Sequence, residues 1–218
     1  MSIGFKMSIK RFVGNFFNFI FSTNSAIWFE KDLTEKLVEY PPKIPIEIDM
    51  NSTSQTIEWV KNQKEKWLTN SKEIASAQNC NHCWLSINTN GNIIGFLKIG
   101  FSNPYITDYK RVIEMPEKMA FMYDTFVIPA YRNKGVSTYV ATQVLKFLKE
   151  QGYNKVGVHV PSWNIASLRT LEKMGFKKVI YIKCFRIFNL PILIGKSEPR
   201  SSTFKEGKLL KVSEIYAN

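Results

Sequence analysis

The sequence lacks the features that mark membrane-spanning and secreted proteins. It has no apolar run of about 18 residues, so no membrane-spanning helix is predicted. Its three cysteines among 218 residues are an odd number without the spacing of a disulfide framework. The apolar run at 12–21 is short, and the residues after it offer only a weak signal-peptide cleavage site. A reducing, cytoplasmic location is therefore expected.

A metal site is also not expected. The segment Cys80-Asn81-His82-Cys83 is superficially metal-like, but it has no matching distal pair. Ligands crowded into four consecutive positions suit tetrahedral zinc poorly. We expect His159 to be an ordinary strand side chain rather than a ligand or a catalytic base.

The chain is strongly basic, with a formal net charge of +12 and a pI of about 9.5. Such a field favours anionic ligands, among them CoA phosphates, nucleotide sugars, nucleic acid and acidic lipids. A lysine-rich soluble surface would give the same charge. The basic residues are spread along the chain without an RNA-binding aromatic motif, so no nucleic-acid partner is predicted.

The order of apolar patterns predicts an α+β fold with a mixed sheet. Alternating or apolar runs predict strands at 44–50, 83–87, 93–99, 118–128, 156–160, 176–190 and 208–212. The pair Asn90-Gly91 predicts a tight hairpin turn, because both positions tolerate positive φ. Helices are expected near 55–67, within 68–79, over 136–150 and from Ile165 to Gly175. The first would be capped by Ser52 or Ser54 and would turn Trp67 inward. The third carries an i, i+4 apolar stripe that consists of Val136, Val140, Val144 and Leu148.

Residues 1–43 are interpreted as an N-terminal extension that precedes a domain at 44–218, with Pro41-Pro42 at the boundary. The sheet is not expected to need this extension. Apolar residues recur in it at nearly helical spacing: Phe5, Ile9, Phe12, Phe16 and Ile20. Packing on the domain is favoured over a membrane surface, and a homodimer is left open.

The most informative segment begins with the strand-like run over 122–128. It leads into Arg132-Asn133-Lys134-Gly135-Val136-Ser137, which places a basic, glycine-bearing turn at the start of a helix. The N–H groups and the dipole of a helix start favour an anion there. Gly135 lets the backbone approach such a ligand closely. The pattern predicts a pyrophosphate site.

A second segment follows, from Asn164 to Gly175-Phe176. Together the two segments resemble the GNAT superfamily of N-acetyltransferases, specifically within 122–176 and more loosely over 44–190. The resemblance implies a mostly antiparallel central sheet flanked by helices, and acetyl-CoA as co-substrate. It also implies acetyl transfer to a primary amine by direct attack in a ternary complex. Ser137 stands where the family loop carries Gly or Ala.

The resemblance also implies roles for individual residues. The pyrophosphate would bind the loop of Arg132, Asn133, Lys134, Gly135, Val136 and Ser137. Backbone N–H groups at Phe126 and Val127 would polarise the thioester carbonyl. The pantetheine arm would meet Asn164, Ser167 and Leu171. A helix N-cap is the alternative for Asn164.

Asp124 is the candidate catalytic residue, as proton acceptor or as partner of a cationic substrate. A helix cap or a buried polar network is the alternative. Leu171 occupies the position at which the family often carries a tyrosine that protonates the thiolate, so no general acid is assigned. The acceptor is expected to be a small-molecule amine such as an amino-sugar nucleotide. The extension at 1–43 is expected to shape the acceptor side of the site rather than the CoA side. A catalytically decayed CoA-binding protein and a membrane-surface protein are the competing interpretations.

Overall fold

The computed structural model describes residues 21–64, 82–101, 103–106, 111–187, 190–197 and 209–211. Four expectations lie outside these residues. They are the apolar helix of the extension before residue 21, the inward-facing Trp67, the short helix within 68–79, and Cys80.

Nine strands of the described residues form one sheet, in the order β11-β10-β9-β1-β8-β7-β4-β3-β2. Neighbouring strands are antiparallel except β7 and β8, which are parallel. A separate pair consists of β5 (Tyr105–Ile106) and β6 (Arg111–Val112). The expected α+β fold with a mixed, mostly antiparallel sheet is confirmed. The sheet strands are β1 (Phe21–Asp32), β2 (Glu47–Asp49), β3 (His82–Thr89), β4 (Asn92–Gly100), β7 (Met119–Val127), β8 (Lys155–Pro161), β9 (Lys177–Ile187), β10 (Leu190–Ser197) and β11 (Leu209–Lys211).

Three α-helices are described: α1 (Thr53–Lys61), α2 (Val136–Glu150) and α3 (Ile165–Lys173). The predicted apolar stripe of α2 is buried, with Val140, Val144 and Leu148 each 0% exposed. Helix α1 ends at Lys61, before the expected limit of residue 67. Ser52 precedes α1, but its hydroxyl donates to Asp49 O at 2.8 Å and does not cap the helix.

The predicted turn between β3 and β4 is confirmed. Asn90 and Gly91 both have positive φ, at 48° and 75°. Turns with positive φ at both central residues match the right-handed twist of the flanking strands. This local signal therefore fixes the pairing of β3 with β4.

Residues 21–32 do not behave as an extension. They form β1, which lies inside the sheet between β8 and β9. Ile27 and Phe29 are buried on the α2 and α3 face, and Trp28 is buried on the other. The expectation that the sheet needs nothing before residue 44 is therefore wrong for this segment. The reason is that the apolar run of β1, from Ala26 to Phe29, is buried on both faces and therefore shows no alternation.

Residues 33–43, here called the strap, run from β1 across the two helices on one face of the sheet. Glu39 pairs with Lys146 of α2, and the Tyr40 hydroxyl donates to the carbonyl of Lys173 in α3 at 2.6 Å. The far end of the strap reaches the loop at Lys134. The end of the strap therefore lies beside the predicted pyrophosphate loop. The expectation that the extension shapes the acceptor side rather than the CoA side stays a prediction.

The two faces of the sheet are covered differently. Helices α2 and α3 pack on one face, over residues such as Ile99, Met122 and Val158. On the opposite face, α1 covers an aromatic cluster that includes Trp84, Phe96 and Phe126. Ile106 and Ile113 pack farther along that face, against Trp28 and Phe121. The centre of the second face therefore lies between two covering segments.

Candidate active site

The two parallel strands, β7 and β8, separate near the middle of the sheet. Their ladder runs from Met119 opposite Lys155 to Met122 opposite Val158, although β7 continues to Val127 and β8 to Pro161. The carboxyl ends of the two strands thus open a gap in the sheet. Openings at the carboxyl ends of parallel strands are preferred ligand sites, because backbone groups there are accessible.

A β-bulge lies at the point where the strands separate. Met122 of β7 pairs with Ile99 of β4, but Thr125 pairs with Leu97. Tyr123 and Asp124 therefore both lie opposite Lys98. A bulge of this kind re-aims the side chains of the longer strand. Asp124 is exposed at this position, beside the gap.

The loop after β7 is held in place by the side chain of one of its own residues, Arg132. The Nε atom of Arg132 donates to the carbonyl of Val127 at 2.8 Å, and its guanidinium lies 5.6 Å from the Phe126 ring centroid. Arg132 therefore ties the loop to the end of β7. Lys134 lies over the ring of Tyr131, with its Nζ 5.0 Å from the centroid.

The loop ends in the N-terminus of α2, as the sequence predicts. Gly135 is the N-cap residue and has φ +79°, a conformation that residues with a Cβ rarely adopt. The N–H of Tyr139 donates to Gly135 O at 3.0 Å. The N–H groups ahead of Tyr139 belong to the first turn, which has no intrahelical acceptors. Val136 is buried there, while Asn133 and Ser137 are exposed.

Asn164 is the N-cap of α3. Its Oδ1 accepts a hydrogen bond from the N–H of Ser167 at 3.2 Å, so the capping alternative is confirmed. Leu171 is buried in the core shared with α2 and β8. Two apolar side chains flank Asn164 at the surface, with Trp163 72% and Ile165 50% exposed.

A group of polar side chains on the opposite face of the sheet was not predicted from the sequence. It consists of His82, Lys98 and Tyr123. The Nε2 atom of His82 lies 2.6 Å from the Tyr123 hydroxyl. The Nζ atom of Lys98 lies 4.5 Å from the Tyr123 ring centroid and 5.2 Å from that of Trp84. Lys98 is buried, and it is the one cation in the apolar run at 93–99, a signal that could have identified it.

His82 and Cys83 are neighbours on β3, so their side chains point to opposite faces of the sheet. The Cys83 thiol donates to the carbonyl of Met50 at 3.1 Å, and burial raises its pKa. Among the described residues, no three His, Cys, Asp or Glu side chains are grouped as a metal site would require. His159 lies on β8, opposite Trp28 of β1.

Residues 48–176 match the model of the Acetyltransferase (GNAT) family. The chain therefore belongs to this family, whose reaction class is acyl transfer and whose usual donor is acetyl-CoA. A search of curated proteins found no match.

Solved structures share the fold at low sequence identity. A GCN5-related N-acetyltransferase from Sphaerobacter thermophilus aligns with a TM-score of 0.50 at 14% identity, over 84% of this chain and 56% of that one. A protein of unknown function from Staphylococcus epidermidis aligns with a TM-score of 0.53 at 11% identity, over 79% and 64%.

A third similar structure belongs to a much longer protein. It is a GCN5-related glucosamine N-acetyltransferase region of a fungal multi-domain β-N-acetylglucosaminidase. The TM-score is 0.51 at 15% identity, over 79% of this chain and 22% of that one. The chain thus spans less than two thirds of the length of each of these three relatives.

None of the helices that the structure describes is long and apolar enough to cross a membrane.

Proposed function

We propose that this chain is an N-acetyltransferase that moves the acetyl group of acetyl-CoA to a primary amine of a small-molecule acceptor. The observation that carries the proposal is the gap between β7 and β8, because β7 leads from this gap through the loop after Val127 into the glycine turn at the start of α2. A thioester in the gap and a pyrophosphate at the turn would be held by one continuous segment of chain.

The donor would be bound mainly by backbone groups. The first turn of α2 after Gly135 would hold the pyrophosphate, with Lys134 adding positive charge. Arg132 would act through the loop, because its side chain already holds the end of β7. Backbone N–H groups near Phe126 and Val127 would polarise the thioester carbonyl. Asn164 and Ser167 would line the pantetheine arm, close to the start of α3.

The chemistry needs an unprotonated amine and a good leaving group. The amine nitrogen attacks the carbonyl carbon, a C–N bond forms, the C–S bond breaks, and CoA leaves as its thiolate. Asp124 accepts the surplus proton of the amine, directly or through water. A thiol with a pKa of about 8.5 leaves readily as a thiolate, so the reaction does not require a proton donor at Leu171. Placing the two reactants together supplies much of the rate enhancement.

The acceptor is proposed to be a small anionic amine, with amino-sugar nucleotides as the leading class. The net charge of +12 favours an anionic acceptor over a polycation. The fungal relative is described as acting on glucosamine, which supports including amino sugars in the search. A cytoplasmic location, independence from metal and the absence of a nucleic-acid partner remain predictions.

A second candidate is a protein that binds CoA without catalysis. It is favoured by Leu171, a buried core residue at the position of the family's proton-donating tyrosine. Calorimetry with CoA and a thiol-release screen with acetyl-CoA over an amine library separate the two candidates. The proposal predicts both binding and thiol release with at least one amine. Binding without release across the library would favour the second candidate, and absence of CoA binding would contradict both.

A further inference from the structure

The end of the strap lies against the loop to which the pyrophosphate is assigned. The backbone N–H of Lys43 donates to the carbonyl of Lys134 at 2.8 Å. A Cβ placed on Gly135 would lie 3.5 Å from both Pro41 O and Pro42 Cα, the distance of an ordinary van der Waals contact. Residues 41–43 thus form a wall of the loop, although in the sequence Lys43 precedes Lys134 by 91 positions.

The strap is fixed along its length before it reaches the loop. Leu33 is buried, and its N–H donates to Asn154 O at 2.8 Å. Glu35 accepts hydrogen bonds from Lys31 and Lys177, both at 2.7 Å. These contacts tie the first half of the strap to β1 and β9.

The second half of the strap is held by α2 and α3. Glu39 pairs with Lys146 of α2. The Tyr40 hydroxyl donates to the carbonyl of Lys173 in α3. The ammonium of Lys173 lies 4.7 Å from the centroid of the Tyr40 ring. Pro41 and Pro42 follow, and proline restricts the backbone conformations open to this short connection. The position of Lys43 is therefore set by both helices that begin at the proposed donor site.

We propose that the strap is part of the donor site and that Lys43 supplies it with a further cation for the pyrophosphate of CoA. The inference rests on the proposed function, because it takes the loop as the place where CoA binds. Lys43 is exposed, and its backbone is joined directly to that of Lys134. A flexible lysine stem lets the ammonium reach a phosphate beside the loop while its backbone stays fixed.

The residues beside Lys43 indicate which anionic group of CoA it binds. CoA carries two anionic groups, a pyrophosphate and a 3′-phosphate on the ribose. Lys43 is hydrogen-bonded to a residue of the loop that leads into the first turn of α2, so the pyrophosphate is its partner. Lys43 should then contribute equally to binding of CoA and of dephospho-CoA, which lacks the 3′-phosphate.

The test is calorimetric binding of CoA and dephospho-CoA to the full chain, at low and at high salt. Lys43→Gln is compared with Lys36→Gln, a matched change at another exposed lysine of the strap. Lys43→Gln should weaken binding of both ligands about three- to tenfold at low salt and less at high salt, because salt screens exposed charges. Lys36→Gln should leave both affinities within about twofold of the wild type.

A second variant separates the position of the strap from its charge. Tyr40→Phe removes the hydrogen bond to Lys173 O and changes no charge. It should weaken CoA binding about two- to fivefold, the loss of one modest hydrogen bond, while the salt dependence stays that of the wild type. A folded Tyr40→Phe protein with unchanged affinity would overturn the positioning role of the strap.

The remaining outcomes are equally decisive. Equal affinities of Lys43→Gln and wild type for CoA would overturn the inference while leaving the proposed function intact. A loss seen with CoA but not with dephospho-CoA would assign Lys43 to the 3′-phosphate and overturn its placement at the pyrophosphate. A wild-type chain that binds neither ligand would overturn the proposed function, and the inference with it.

Discussion

The imidazole of His82 and the phenol of Tyr123 meet across an intervening strand. Their Nε2 and Oη atoms are 2.6 Å apart, although β4 lies between β3 and β7. Two features make this contact possible. The bulge in β7 places Tyr123 opposite Lys98, and Gly100 of β4 leaves room for the Tyr123 ring.

Gly100→Ala is expected to displace the Tyr123 ring. A Cβ at Gly100 would lie 2.7 Å from Cε2 of Tyr123 and 3.2 Å from Cδ2 of His82. Overpacking of this kind costs about 1–3 kcal/mol of the free energy of unfolding. Urea unfolding should show that loss in the wild-type background and a smaller one in a Tyr123→Ala background, where the clash is removed. Equal losses in both backgrounds would contradict the explanation.

Gly135→Asp is expected to weaken CoA binding. The substitution puts a side chain and a negative charge on the N-cap of α2, where the pyrophosphate is proposed to bind. Gly152→Asp is the matched control, because Gly152 has φ +84° at the other end of the same helix. Both variants should lose about 1 kcal/mol of stability from backbone strain. Calorimetry should show a loss of CoA affinity of about tenfold or more only for Gly135→Asp; similar affinities for the two would place the site elsewhere.

Asp124→Asn is expected to lower kcat by about a hundredfold or more if Asp124 accepts the proton of the amine. The change keeps the size of the side chain and removes its charge. Thiol release should be followed across pH with an acceptor found in the amine screen. Glu117→Gln, a change at another exposed carboxylate, should leave turnover unchanged. A wild-type pH profile for Asp124→Asn would remove Asp124 from the mechanism.

The ion pairs of Glu35 are expected to make stability depend on pH. Hydrogen bonds from Lys177 and then Lys31 hold the pKa of Glu35 below its usual value. Because the folded pKa is the lower one, this stabilisation is present above the ordinary glutamate pKa and is lost as pH falls through the folded value. Glu35→Gln should lower the Tm at pH 7 by the equivalent of at most about 1 kcal/mol, since exposed pairs are weak.

The difference between Glu35→Gln and wild type should disappear in acid. Glu58→Gln, a matched change at an exposed glutamate of α1, is the control. A Tm difference for Glu35→Gln that persists below the folded pKa of Glu35 would show that lost packing, not charge, is responsible.

Truncations of different length should separate the extension from the sheet. Removing residues 1–20 leaves β1 whole, whereas removing residues 1–32 deletes an inner strand and exposes the edges of β8 and β9. Circular dichroism should show native-like unfolding for the first chain and no cooperative unfolding for the second. A cooperatively folded protein without residues 1–32 would contradict the place of β1 in the sheet.

The features that could be predicted from sequence depend on short-range signals. Asn90 and Gly91 determine their turn by their own backbone preferences, and the i, i+4 stripe of α2 needs no partner to be recognised. The same is true of the glycine turn at Gly135. These signals were sufficient for the fold class, for the hairpin and for the loop that begins α2.

The features that were missed depend on pairing between distant segments. The run Ala26-Ile27-Trp28-Phe29 is too short for periodicity to distinguish a buried strand from a buried helix. Simple alternation along β7 would place Tyr123 and Asp124 on opposite faces of the sheet. The bulge that sets both against Lys98 is visible only in the register with β4.

The place of β1 has a consequence for the order in which the chain folds during synthesis. Ala26 pairs with Pro161 and with Ile182, so β1 leaves the ribosome more than a hundred residues before either partner strand exists. Long-range pairing of this kind slows folding, and apolar strands that have not yet paired are prone to aggregate. Trp28 and Phe29 must stay protected during that interval. The yield of soluble protein should therefore depend more on the supply of chaperones during expression than on the stability of the folded protein.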